Sequence, residues 1–379
     1  MRISLANPIY SREKEIVEVL KTLESGQLSM GEKVRQFEKT WAEYCGVKCA
    51  VMVNSGSSAN LLAMTLLKEI VGGGEVITPA VTWATTIFPI AQVGMTPVLV
   101  DVDWDFNISI KRVEQAIGLK TRAIFPVHLL GNPARMAELR ELADENDLFL
   151  IEDACEAHGA EIFGKKVGGF GDMGTFSFYV SHHITTIEGG MITTDNVDYA
   201  DRLRSLRAFG WTRDMRLGDL IARGNNIDPR FCFVTPGYNL RPTEVQGAFG
   251  IHQLPRLEGN IRARRDNAAF FSKALKDCNL RLPFERRDTR HVFLLYAVLS
   301  PAKEKLQPFL ESKGIDTRPI ISGDMTLQPA MRLIKYRVSG TLVHSRAAHD
   351  FGFCFGCHPG IGEAERQQVV DAFREFYRE

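Results

Sequence analysis

The chain has 379 residues, 45% hydrophobic and 24% charged, a composition of ordinary globular domains. Its 46 basic residues match 46 acidic ones, which leaves no cationic surplus to drive nucleic-acid or polybasic membrane binding. The length predicts two domains.

The opening stretch MRISLANPIYSREKEIVEVL lacks the apolar core of a signal peptide, and no later run is long and apolar enough to span a bilayer, so a cytoplasmic location is expected. In GEKVRQFEKTWAEYCG, the spacing of Phe37, Trp41 and Tyr44 predicts an amphipathic helix whose aromatic stripe is core. Short β-rich runs follow, CAVMVN, EVIT, TPVLVDV, RAIFPVH and LFLIED, separated by helix-like ANLLAMTLLKEI, ATTIFPIAQ, ISIKRVEQAI and PARMAELRELADEN. This alternation predicts a largely parallel sheet with helices on both faces and ligands at the carboxyl ends of its strands. Past Gly250 the pattern loosens into a charged helix, RLEGNIRARRDNAAFFSKALKD, then HVFLLYAVLS and ERQQVVDAFREFY, which suit a smaller α+β unit. The expected domains are therefore 1–250 and 251–379. Seven scattered cysteines suit free thiols in a reducing compartment, and Cys354 and Cys357 form an isolated C-x-x-C read as buried small apolar residues.

The chemistry concentrates at the predicted strand ends. After CAVMVN, Ser55-Gly56-Ser57-Ser58 opens a helix, where backbone amides and the helix dipole suit a phosphate, although serine is equally a common N-cap. After EVIT comes Trp83, a packing residue or a platform for a flat ring. After LFLIED, the run DACEAH sets Asp153, Glu156 and His158 beside a buried strand, where ionisable groups are costly unless they are paired or functional. A phosphate, an aromatic ring and a carboxylate partner for a ring nitrogen together suit pyridoxal 5'-phosphate.

In order along nearly the whole chain, NSGSSAN, PAVTWAT, VHLLGNPARM, IEDACEAHGA, GDMGTFSFYVSHHITTIEGGMI, GYNLRPTEVQGAFG and GIDTRP resemble the DegT/DnrJ-type sugar aminotransferases. These are pyridoxal-phosphate proteins of the aspartate aminotransferase fold. The resemblance implies an α/β large domain with a mostly parallel seven-stranded sheet between helices, and a smaller C-terminal α+β domain. It implies that Gly56, Ser57 and Ser177 bind the phosphate, Trp83 stacks on the ring, Asp153 pairs with the pyridine nitrogen and Glu156 lies near the ring hydroxyl. Asn239 would reach the phosphate of a neighbouring subunit, which implies a homodimer with shared active sites.

One position departs from the family. The lysine that binds the cofactor covalently is replaced by His182, and no lysine occurs between Lys166 and Lys273. Lys165 and Lys166 sit earlier, in a Gly-rich stretch expected to be a solvated loop. Imidazole makes no Schiff base, so the cofactor is expected to be held non-covalently, with pyridoxamine 5'-phosphate as a resting form and His182 as a general base. This exchange resembles the sugar 3-dehydratases of the family, in which electrons flow from the cofactor into a 4-keto sugar and expel the hydroxyl at carbon 3. The branch acting on a CDP-linked sugar carries an iron-sulfur cluster on cysteines that include a C-x-C pair; none is present here, so no cluster is expected. YVSHHITTIEGG, NIDPRFCFVTPGYNLR and GDMTLQP resemble instead the branch acting on GDP-4-keto-6-deoxy-D-mannose in colitose and O-antigen biosynthesis, where L-glutamate regenerates the pyridoxamine form. Arg241 is a candidate for the glutamate carboxylate, and Arg213 or Arg318 for nucleotide phosphates; a salt-bridged surface arginine is the competing reading of each. His183 is expected to orient the segment, and a zinc site on His182 and His183 is not expected, because adjacent side chains rarely converge on one ion. An aminotransferase with a displaced lysine, a dehydratase for a CDP- or dTDP-linked sugar, and a non-catalytic cofactor-binding relative remain open as alternatives.

Overall fold

The strands of the first half run β1 (Cys49–Val53), β2 (Glu75–Pro79), β3 (Thr96–Val100), β4 (Thr121–Ile124), β5 (Phe149–Asp153), β6 (Met173–Ser177) and β7 (Gly190–Thr194). In this computed structural model, which describes residues 2–378, they lie in the order β1-β7-β6-β5-β4-β2-β3. Their ladders are parallel except at β7, which runs antiparallel to both β1 and β6. The strands read as continuous apolar runs because both faces are covered. On one face Val53, Ile151 and Ile192 pack with Leu62, Leu66 and Leu67 of helix Gly56–Val71 and Leu203 of helix Val197–Arg207. On the other, Ile77, Val98 and Leu150 pack with Val113 of helix Ile110–Ala116 and Leu139 of helix Met136–Glu145.

The C-terminal part has its own antiparallel sheet, β8 (Tyr296–Leu299), β11 (Gly352–Phe355) and β9 (Thr317–Pro319) in that order. Leu306, Leu310, Val369 and Phe373 of two helices bury Phe353 and Phe355 of β11. The strand between them in sequence, β10 (Arg337–Val338), crosses to the large sheet and pairs in parallel with β3, so that sheet carries an eighth strand beyond the seven expected.

Two elements also cross the boundary expected at residue 250. Helix Leu257–Ala274 places Leu257 and Ile261 in the core of the large unit and Ala268 and Phe271 in that of the smaller one. At the N-terminus, Ile3 donates to Gly314 O at 2.7 Å and accepts from Asp316 N at 2.9 Å, which docks the first residues on the C-terminal unit. Composition does not reveal such crossings, because apolar residues satisfy either core equally well.

The aromatic stripe behaves as expected. Phe37 and Trp41 are fully buried and clasp Phe178 at centroid distances of 5.1 and 4.9 Å. Lys165 and Lys166 form a short strand in place of the loop expected of them; Lys165 is exposed, as expected, while Lys166 is half-buried, 3.6 Å from Glu161 and over the Tyr44 ring.

Candidate active site

The carboxyl ends of β1, β2, β5 and β6 surround a cavity of about 290 Å³. Gly56, Ser57, Trp83 and Asp153 line one part of it, and Glu156, Ser177, His182 and Arg318 the rest. Eight expected residues, scattered over more than 260 positions, thus converge on one space.

At one end stands the N-terminus of helix Gly56–Val71. Ser55 caps it, its hydroxyl accepting from Ser58 N at 3.1 Å, so the capping reading holds, and the first residues of the helix also line the cavity. Gly56 is required for its size. A Cβ there would stand 2.5 Å from Ser177 Cβ, so only glycine lets the turn and the end of β6 approach.

Above the cavity floor, Trp83 is 52% exposed, which argues for a ring platform and against the packing role. Asp153 is buried and held from three sides. Its Oδ2 accepts from Asn60 Nδ2 at 2.9 Å and Thr86 Oγ1 at 2.8 Å, and its Oδ1 accepts from Cys155 N at 3.2 Å. Thr175 donates to Asn60 Oδ1 at 2.6 Å and Thr82 bonds Thr86 at 2.7 Å, so the carboxylate's supports are themselves fixed. Sequence reasoning missed Asn60 and Thr86. A signal for Asn60 exists, because it lies four residues after Gly56 and therefore on the same helix face.

His182 stands on the loop between β6 and β7. The residue keeps some access to the cavity, yet desolvation, reinforced by the Arg264 and Arg318 guanidinium groups, pushes its pKa down to about 3. Its Nδ1 is buried and has no hydrogen-bond partner among the described residues. The imidazole is therefore neutral at neutral pH with a lone pair available. Glu156 accepts from Leu130 N at 2.8 Å, and desolvation outweighs that bond and Arg318 to lift its pKa to about 7. Arg318 enters from β9, and no hydrogen bond or ion pair of its guanidinium occurs among the described residues.

The loop beyond His182 is strained. Ile187, β-branched, has φ +72°, a conformation held at functional sites only when surroundings over-determine it. Here Ile187 N donates to Thr185 Oγ1 at 2.8 Å, and the Glu188 carbonyl accepts from Thr186 Oγ1 and Gln246 Nε2 at 2.7 and 2.5 Å. Glu188 is among the residues that line the cavity.

Three expected residues lie elsewhere. Arg213 and Arg241 line a separate cleft of about 150 Å³ with Arg35, Arg204 and Trp211, and Asn239 accepts from Arg241 Nε at 3.0 Å beside it. Arg241, expected at the glutamate carboxylate, is thus apart from His182 within one chain, because Tyr238 and Leu240 are tied to the end of helix Val197–Arg207. The guanidinium that shares the cavity with His182 is that of Arg318. His158, grouped with Asp153 and Glu156 by sequence, is fully buried outside the cavity lining. Among the described residues, no group of three or more His, Cys, Asp or Glu is disposed to hold a metal ion, the seven cysteines are free, and no helix is long and apolar enough to cross a membrane.

The chain belongs to the DegT/DnrJ/EryC1/StrS aminotransferase family, whose model matches residues 10–374. It is 38% identical over 361 residues to the GDP-4-keto-6-deoxy-D-mannose 3-dehydratase of Yersinia pseudotuberculosis, covering 91% of this chain and 92% of that one. Among solved structures it resembles a GDP-4-keto-6-deoxymannose 3-dehydratase mutant with bound GDP-perosamine, with a TM-score of 0.91, 33% identity, and coverage of 98% of this chain and 100% of that one. A GDP-4-keto-6-deoxymannose 3-dehydratase with a trapped PLP-glutamate geminal diamine matches with a TM-score of 0.90, 34% identity and coverage of 99% and 100%.

Proposed function

We propose that this protein is a pyridoxal/pyridoxamine 5'-phosphate-dependent lyase, a 3-dehydratase acting on GDP-4-keto-6-deoxy-D-mannose. L-Glutamate regenerates the pyridoxamine form, and ammonia and 2-oxoglutarate are released. The observation that carries this reading is a cavity that brings His182 together with Gly56, Ser57, Trp83, Asp153, Glu156 and Ser177 and whose described lining contains no lysine, which supports the reading of His182 at the position of the family's lysine.

The residues fit the cofactor. Gly56 leaves room where a Cβ would collide, the helix amides and Ser177 suit the phosphate, the exposed face of Trp83 suits the ring, and Asp153 is a pre-oriented carboxylate for a protonated ring nitrogen. When bound, the cofactor supplies an amino group that condenses with a keto sugar and a ring that stores and returns an electron pair. Asp153 keeps the ring nitrogen protonated. His182, neutral and without a covalent link to hold, takes and returns the proton next to the reacting carbon. Glu156, titrating near neutrality, shares a proton with the ring hydroxyl. Arg318, a guanidinium without an internal partner among the described residues, suits the planar carboxylate of glutamate by a bidentate pair.

Arg213, Arg241 and Asn239 fit a different task. Asn239 and the arginine cleft serve the site of a second copy in a homodimer, Asn239 at its cofactor phosphate and the guanidinium groups at the diphosphate of the sugar nucleotide. The exposed rings of Phe209, Phe231 and Phe233 around this segment support such a contact. We place the enzyme in the cytoplasm.

Purified protein with cofactor, glutamate and a panel of GDP-, CDP- and dTDP-linked 4-keto-6-deoxy sugars tests the reading by mass spectrometry. A 3-deoxy sugar from the GDP substrate, with ammonia, is expected. An amino sugar as main product, or cofactor fixed to a lysine by borohydride, overturns it. Light scattering tests the dimer, and a fully active monomer rules out shared sites.

A further inference from the structure

His183 follows the base in sequence and is buried, outside the lining of the cavity. Its Nε2 lies 3.0 Å from Val292 O, its Nδ1 3.4 Å from His158 Nδ1, and its carbonyl accepts from Asn260 Nδ2 at 2.9 Å. His158 belongs to the loop after β5, which follows directly on Asp153 and carries Glu156. The two rings therefore tie the strand-end loop of the carboxylates to the loop of the base.

The chemistry of the partners determines where the protons sit. A carbonyl only accepts, so His183 carries its proton on Nε2, and the Nδ1 of a neutral ring is a bare lone pair. His158 must then donate from its own Nδ1, the less usual tautomer, which leaves its Nε2 buried beside Trp41, Phe176 and Phe178 with no hydrogen-bond partner of good geometry among the described residues, the Ser177 carbonyl being its nearest backbone influence. Burial, the chief cause, pushes both rings well below the ordinary histidine range, helped for His183 by Arg264 and for each ring by neighbouring imidazoles. The charged and titratable groups facing the pair are His182, Arg264 and, beyond His182, Arg318; no carboxylate bonds either ring among the described residues.

His182 itself has few polar contacts. Its backbone N donates to Tyr179 O at 3.0 Å and its ring lies 6.2 Å from the Tyr179 ring and 5.7 Å from that of His158, while the ring Nδ1 has no hydrogen-bond partner among the described residues. We propose that His183 is the positioning residue of the base, with His158 as its obligatory hydrogen-bond donor, so that the pair sets where His182 stands relative to Asp153 and Glu156. This inference rests on the reading of His182 as the base. It accounts for the second histidine of the His-His pair and for the histidine of DACEAH, which no step of the reaction uses.

The test combines nuclear magnetic resonance on full-length protein labelled with ¹⁵N-histidine with kinetics of the loaded enzyme. In the wild type, His183 is expected as the Nε2–H tautomer and His158 as the Nδ1–H tautomer, both neutral at pH 6. In His183→Phe the ring signals of His182 should broaden or split, while those of His128, locked between Ala134 N and Glu152, stay unchanged. The same variant should lose kcat about 10- to 100-fold with KM for glutamate within about twofold, and His183→Asn, which restores an acceptor for His158, should recover part of it. An Nε2–H tautomer or a charged ring at His158, or His182 signals indifferent to His183→Phe, overturns the inference. These signals are read without turnover, so inactivity of the wild type toward the sugar would defeat the functional reading and leave the positioning role standing.

Discussion

In the cavity, Asp153 is held by Asn60 and Thr86, which are held in turn by Thr175 and Thr82. In the arginine cleft, Arg213 and Arg241 rest on the rings of Trp211 and Phe209 at 4.3 and 4.8 Å, and neither has an ion-pair partner among the described residues. The first region is pre-organised by bonds within the chain, so binding there orders little that is not already ordered. The second presents cations without an ion-pair partner among the described residues, beside exposed apolar rings. On the proposed function, the contrast separates groups that do chemistry from groups that recruit a polyanionic ligand.

The sharpest way to probe the first region is to remove its base. His182→Asn should lower kcat by about 10²- to 10⁴-fold while the protein still retains cofactor, as read by absorbance after gel filtration. Loss of cofactor together with activity would make His182 part of the cradle. Next in size, Asn60→Ala frees one side of Asp153, and the cofactor Kd should rise about 10- to 100-fold, the worth of a hydrogen bond to a charged group; titration of apoprotein measures it. In the second region, Arg213→Ala and Arg241→Ala should each raise KM for the sugar nucleotide about tenfold, more steeply at low salt, and leave the glutamate half-reaction unchanged. An equal loss in both half-reactions would erase the distinction between the regions.

The smallest effect concerns pH. His182 and His291 are pushed down to about 3 by burial, below the ordinary value near 6.5. Their unfolded forms bind more protons between those values, so their contribution is fully present above pH 6.5 and is lost as pH falls toward 3. Glu156 acts in the opposite sense. Lifted to about 7 by desolvation, it favours the folded state at low pH and penalises it as pH rises from its ordinary range through 7. Glu156→Gln should therefore raise Tm at pH 8 by a few degrees, about 1–2 kcal/mol, and leave it unchanged at pH 4. Melting curves at the two pH values decide this, and a shift at pH 4 alone would contradict the raised pKa.

Much of this molecule is legible in one dimension. The strand-helix alternation, the cradle at Gly56 and Ser57, the ionisable cluster at Asp153 and Glu156, and the replacement of lysine by His182 are local patterns, each readable within a short window. Backbone geometry dictates that correspondence, because a residue just after a buried strand of a parallel sheet stands at its carboxyl edge wherever the strand lies in the order. Other features depended on which distant segments meet. Asn60 and Thr86 look like ordinary helix residues until two helices bring them to one carboxylate. Arg318 and Arg241 are equally plausible from sequence, and the crossing of β9 to the cavity distinguishes them. His158, three residues before which stands Cys155 on the cavity wall, turns behind that wall to meet His183. A sequence determines which groups are available and which strand end carries them; the packing of remote elements determines their neighbours, and with them the protonation and orientation on which the chemistry depends.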